Sequence, residues 1–116
     1  KIMEVIIYHN PRCRKSREAL SFLEEKSYKI TVIEYLKDLL STEELIVLLN
    51  DLSIKPIDLV RKNESIWKEQ FKGKDLSDTE IIAAMADYPK LIERPIIKSK
   101  KGTILGRPLE RIKEFY

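Results

Sequence analysis

The sequence predicts an α/β fold, and three stretches predict it. Near the start, the apolar run Val5 to Tyr8 feeds a turn at Asn10-Pro11, after which Ala19, Phe22 and Leu23 recur at helical spacing. A second strand pattern follows, so strand, helix and strand fit within about thirty residues as a βαβ unit. Near the end, Ile96 to Ser99 and Thr103 to Leu105 flank Lys100-Lys101-Gly102 as a hairpin would.

The elements follow in order. Met3 to Tyr8 is nearly continuous in apolar residues and reads as a strand buried on both faces. A helix is expected from about Lys15 to Lys26, and a second strand from Lys29 to Tyr35, where Ile30, Val32 and Ile33 stand among polar residues. The two strands are expected to be parallel, joined by a right-handed crossover. The middle third reads as helices and turns only. Ser41-Thr42-Glu43-Glu44 is a capping box, with Leu45, Ile46, Leu48, Leu49 and Leu52 behind it. Pro56 suits the first position of a short helix carrying Ile57, Leu59 and Val60. Ile66, Trp67 and Phe71 suggest another that Gly73 ends, with Trp67 as a packing anchor. Ser77-Asp78-Thr79-Glu80 is a second capping box, ahead of Ile81, Ile82 and Met85. After the hairpin, Gly106-Arg107-Pro108 opens a last helix whose Leu109, Ile112 and Phe115 share one face. No repeat or linker marks a boundary, so residues 1–116 are expected to form one domain, with a helical insertion at about 41–90.

Composition narrows the function classes. Apolar residues make up 43% and charged residues 35%, the mix of a soluble globular chain with a single core. The formal charge of +3 sets 22 basic residues against 19 acidic ones, too even a balance to imply nucleic acid. One cysteine excludes an internal disulfide, and one cysteine with one histidine is too few for an ordinary zinc site. No apolar run approaches the ~20 residues of a membrane span, and the first residues lack the apolar core of a secretory signal. A cytoplasmic monomer with no bound metal is the expectation.

The chemistry concentrates between Tyr8 and Arg17. This stretch holds the sole cysteine, Cys13, and the sole histidine, His9, with Arg12, Arg14, Lys15 and Arg17 around the sulfur. A thiol where a strand turns into a helix meets backbone N–H groups that favour the thiolate, the nucleophilic form. A cysteine among four cations is not one buried in a dry core. His9, four residues away, is either a strand-end histidine or a group that tunes the thiolate. Arg61, Arg94 and Arg107 lie in loops or at element ends, the last two each before a proline, and guanidinium groups match tetrahedral oxyanions with paired donors. A phosphatase-type Cys-x5-Arg loop is absent, because position 19 is Ala19. A dithiol Cys-x-x-Cys is absent, because Ser16 stands at its second place. Redox work at Cys13 therefore needs a second thiol from outside the chain.

Four motifs in order resemble one family. His9-Asn10-Pro11-x-Cys13 with Ser16-Arg17 is similar to the catalytic loop of the arsenate reductases that work with glutathione and glutaredoxin, within the thioredoxin superfamily. Leu59-Val60-Arg61-Lys62-Asn63 resembles their central arginine segment. Glu93-Arg94-Pro95-Ile96 and Gly102-Thr103-x-x-x-Arg107-Pro108 resemble their two late motifs. The resemblance covers nearly the whole chain. It implies a thioredoxin-like, four-stranded mixed sheet with helices on both faces and a helical insertion after the second strand. It implies that Cys13 attacks arsenate, that Arg61, Arg94 and Arg107 hold the oxyanion, and that His9 helps to keep Cys13 ionised. Asn10, Ser16, Arg17 and Pro95 would line the substrate site, Pro95 as a cis-proline facing the cysteine. Glutathione would be the co-substrate, with no tightly bound cofactor, and glutaredoxin would reduce the mixed disulfide.

One place departs from that pattern. Arg14-Lys15 stands where active arsenate reductases tend to have small residues, and two long cations there would crowd the oxyanion. Arg-Lys at this place resembles the Spx-type transcription regulators of the same superfamily, which carry a Cys-x-x-Cys pair that this chain lacks. Two alternatives therefore stand beside arsenate reduction: a glutathione-linked thiol transferase that does not use arsenate, and a regulator-like protein binding RNA polymerase.

Overall fold

The computed structural model describes residues 2–116. The chain folds into two compact units, residues 2–38 with 94–116, and residues 39–93. The second unit is the helical insertion expected at about 41–90.

The first unit is built on one sheet. Its strands are β1 (Glu4–Tyr8), β2 (Lys29–Ile33), β3 (Ile96–Ser99) and β4 (Gly102–Leu105), in the order β2-β1-β3-β4. β1 runs parallel to β2, as the βαβ pattern requires, and antiparallel to β3, which forms a hairpin with β4. Between β1 and β2 lies α1 (Arg14–Glu24), one residue earlier at its start and two shorter at its end than the sequence pattern suggests. β2 stops at Ile33 rather than Tyr35, because Glu34 begins a turn whose carbonyl accepts from Lys37 and Asp38. The final helix, α5 (Leu109–Phe115), starts directly after Pro108.

One face of the sheet carries the core of this unit. Val5, Ile7, Ile97 and Ile104 share that face through the strand register, and Ala19 and Leu23 of α1 and Ile112 of α5 pack on it. Burial of such side chains stabilises by about 1.5–3 kcal/mol each for the larger ones. The last residue is tied in by polar contacts. Tyr28 Oη donates to the Tyr116 carbonyl at 2.8 Å, and Tyr116 Oη lies 2.9 Å from Ser99 Oγ.

The second unit is built from helices and turns, with one β-bridge. Both predicted capping boxes are present, so Ser41 starts α2 (Thr42–Leu52) and Ser77 starts α4 (Asp78–Asp87). Pro56–Leu59 forms a 3₁₀ turn rather than an α-helix, and α3 (Ser65–Gln70) follows. A further 3₁₀ turn at Pro89–Leu91 carries no expectation from the periodicity. Leu45, Leu48, Leu59, Met85 and Leu91 are fully buried, and Trp67 stacks on Phe71 with centroids 5.4 Å apart. A single antiparallel bridge, Val60 with Ile92, joins the two ends of the short-helix region. It is held by Arg61 N–H to the Leu91 carbonyl at 2.7 Å and Glu93 N–H to the Leu59 carbonyl at 2.8 Å.

Candidate active site

The turn from β1 into α1 is a closed hydrogen-bonded loop. β1 ends at Tyr8 because the His9 N–H still bonds the Ile33 carbonyl while Pro11 ends the ladder. Asn10 organises the turn twice: its carbonyl accepts from Cys13 N–H and its Oδ1 from Arg12 N–H, both at 3.0 Å. Cys13 then stands at the N-cap of α1 with extended backbone, and its carbonyl accepts the first helical bond, from Arg17 N–H. The Cys13 side chain makes no capping bond and is partly exposed. The N–H groups of Arg14, Lys15 and Ser16 have no acceptor one turn back, so the thiol sits beside the positive end of an 11-residue helix.

His9 and Ser16 close the loop from inside. His9 is 4% exposed and Ser16 0%. His9 Nδ1 lies 2.6 Å from Ser16 Oγ, which also accepts Asn10 N–H at 3.1 Å. Burial pushes His9 below its ordinary 6.5; Arg17 adds to this, while Glu34 and Glu24 oppose it. Arg17 is exposed, and its Nη1 donates to the Pro11 carbonyl at 3.0 Å, bracing the outer side of the turn. Arg14 runs down the helix to Glu18, Nε to Oε2 3.5 Å, with its side chain 83% exposed.

The strand register brings the late motifs to the same end of the sheet. Tyr8 pairs with Ile96, and Ile96 with Leu105. The loop that follows Tyr8, the Arg94-Pro95 segment before Ile96 and the Gly106-Arg107-Pro108 segment after Leu105 all leave from that end. The Arg94–Pro95 peptide is cis, as the family resemblance implies, and so is Arg107–Pro108, which no feature of the sequence announces. Arg94 is 8% exposed and Arg107 partly buried. Gly106 N–H bonds the Pro95 carbonyl at 2.9 Å. A Cβ at Gly106 would stand 2.7 Å from Ile112 Cδ1 and 3.0 Å from Pro95 Cγ, so a side chain there would force the buried Ile112 to move.

Arg61 belongs to the other unit, and there its guanidinium is engaged. Nη1 pairs with Glu64 Oε2, and Nε lies 3.7 Å from Glu93 Oε1. Neither glutamate carries an expectation from the sequence. Glu64 is three residues from Arg61, a spacing that brings side chains together on a turn. Glu93 is brought near only by the Val60–Ile92 bridge.

Comparison with known proteins gives one answer. The ArsC family pattern matches residues 8–115. The uncharacterized protein YfgD of Escherichia coli K12 is 39% identical over 115 residues, covering 96% of this chain and 95% of its own. An arsenate reductase of Neisseria meningitidis serogroup B is 38% identical over 111 residues, 94% of this chain and 95% of its own. The solved structure of an arsenate reductase from Vibrio cholerae superposes with a TM-score of 0.93 at 42% identity and covers 100% of both chains. A family match over residues 8–115, with relatives 38% and 42% identical over nearly their whole length, makes this chain a member of the ArsC family.

Proposed function

We propose that this chain is a single-cysteine thiol oxidoreductase of arsenate reductase type, which takes arsenate to arsenite with glutathione and glutaredoxin. The observation that carries the reading is Cys13 at the N-cap of α1, partly exposed and without a capping bond of its own, in a chain of the ArsC family. In the reaction the Cys13 thiolate attacks arsenic and displaces an oxygen as water. A glutathione thiolate then attacks Cys13 Sγ. The S–As electron pair stays on arsenic, which leaves as arsenite, and a Cys13–glutathione disulfide forms. Two thiols have supplied the two electrons. A glutaredoxin thiolate takes the glutathione, restoring Cys13, since the chain holds no second cysteine to do so.

The first-turn N–H groups of α1 and the guanidinium groups of Arg94 and Arg107 supply the donors for the oxyanion in this reading. Arg61, which the family resemblance adds to these donors, is held within the other unit by Glu64 and Glu93. The test is arsenate turnover with glutathione and glutaredoxin, which Cys13→Ser should abolish because serine without a base is a poor nucleophile. A glutathione adduct at Cys13 that glutaredoxin removes, with no arsenate turnover, would make the protein a thiol transferase. Neither adduct nor turnover would favour a binding protein of the regulator kind.

A further inference from the structure

Beside the thiol turn, and wholly within the first unit, a groove of about 840 Å³ runs between α1 and α5. That is the size of a ligand site rather than of a gap between side chains. Both helices start at the same end of the sheet, α1 after Cys13 and α5 after Pro108, so the groove has a head at the thiol and a tail away from it. Arg14 and Arg17 stand at the head, one residue and one turn from Cys13, Lys26 stands at the tail, and Lys113 stands on the α5 wall. Phe22 and Leu109, both half-buried, give the groove an apolar floor. Lys26 Nζ lies 5.0 Å from the centroid of the Phe22 ring, so charge borders the apolar surface directly. Glu18 and Glu25 also line the groove, but Arg14 already holds Glu18 at 3.5 Å. Four cations against two carboxylates leave a formal charge of +2. From Arg14 to Lys26 the lining spans roughly 18 Å at about 1.5 Å per residue. An extended peptide covers about 3.3–3.6 Å per residue, so about five residues fit, and a tripeptide fills little more than half.

We infer that this groove binds an extended acidic segment of a partner protein, about five residues long, whose disulfide-bonded cysteine lies at the head beside Cys13. Its carboxylates meet Arg17, Lys113 and Lys26, and an apolar side chain between them meets Phe22 and Leu109. A nucleic acid would match the charge but brings no aliphatic side chain for the floor. In the exchange the Cys13 thiolate attacks the partner's sulfur. A new S–S bond joins Cys13 to the partner, the old S–S bond breaks, and its electron pair leaves on the departing thiolate. The inference rests on Cys13 being the working thiol of the proposed oxidoreductase, and not on arsenate being its substrate.

The chain has one cysteine, so every exchange reads Cys13. The reagents are peptides joined through cysteine to 5-thio-2-nitrobenzoate, whose release is followed by absorbance. Each rate is divided by the rate of iodoacetamide alkylation of the same protein. Acetyl-Cys-Glu-Leu-Glu-Glu should react on the order of tenfold faster than its counterpart with lysine for glutamate. It should also outpace the counterpart with serine for leucine, and glutathione joined to the same leaving group. Lys26→Glu combined with Lys113→Glu should cut its ratio on the order of tenfold. A serine counterpart as fast as the leucine peptide would reduce the groove to general attraction of anions and overturn the inference. Glutathione as fast as the longer peptide, or a short oligothymidylate competing as well as an unreactive peptide, would overturn it too. Alkylation at the usual rate with no preference among the disulfides would sink the groove and leave the thiol chemistry standing. A Cys13 that neither alkylates nor exchanges would count against the oxidoreductase reading instead. The groove is then decided by binding of the peptide with serine for cysteine: amide shift changes gathered on α1 and α5 support it, and changes elsewhere or none overturn it.

Discussion

In the unfolded chain the His9 imidazole titrates near 6.5, whereas in the folded protein burial holds it lower. Just below 6.5 the unfolded chain therefore binds more protons than the folded one, so stability rises with pH through that window. The contribution is complete above 6.5 and is lost as the pH falls below it. The thermal midpoint of the wild type should drop on acidification from pH 7 to 6, and His9→Asn should flatten that segment of the curve. Arg61 makes the opposite case, a charge that folding pairs. Its partners Glu64 and Glu93 are largely buried with it, so Arg61→Ala leaves two carboxylates without their cation. Urea unfolding should show a loss of about 1–2 kcal/mol, between the values for exposed and buried pairs. Arg14→Ala, which breaks only an exposed pair with Glu18, should change stability by less than about 0.5 kcal/mol. Cys13 and the Asn10-Pro11 turn were legible from residue type and spacing. The His9–Ser16 bond was not, because the sequence shows seven residues between partners but not which way a loop side chain turns.

The helices of the insertion are set by their first residues. Ser41 and Ser77 each accept from the N–H three residues on, while Glu44 and Glu80 return the bond to the serine N–H. Ser41→Ala and Ser77→Ala should each cost about 1 kcal/mol, the usual loss of a cap. The loss is readable as a lower urea midpoint in the fluorescence of Trp67, the sole tryptophan, which lies in the same unit. These boxes were legible because a cap is a local code in which four consecutive residues specify one geometry. The 3₁₀ turn at Pro89–Leu91 was not legible, since three residues are too few to show a period and Pro89 alone marks only a turn. The ends of α1 and β2 moved for a related reason. Periodicity continues beyond the point where Glu25 begins the exit from α1 and the Glu34 turn takes over from β2.

Across the whole molecule, residue types reported the neighbouring strands, and the family resemblance reported a mixed sheet of four but not which strands pair. A βαβ pattern fixes β1 beside β2, but nothing local in Ile96 to Ser99 says that this strand lies antiparallel on the other side of β1. That pairing is what carries Arg94 and Arg107 to the same end of the sheet as Cys13. It also gives the charge distribution a testable consequence. The chain has a formal charge of +3, and Arg12, Arg14, Lys15 and Arg17 are all exposed around the thiol turn. An anionic reagent should therefore be drawn to Cys13 and a neutral one of the same shape should not. Iodoacetate and iodoacetamide form such a pair. The Debye length falls from about 30 Å at 0.01 M salt to about 8 Å at 0.15 M. Over that range the rate of alkylation by iodoacetate should fall severalfold while that of iodoacetamide stays nearly constant. Arg12→Glu should shrink the difference by reversing one nearby charge. If both reagents respond to salt alike, the cations around Cys13 do not steer anions to the sulfur, and attraction of an oxyanion would have to come from the buried Arg94 and the partly buried Arg107.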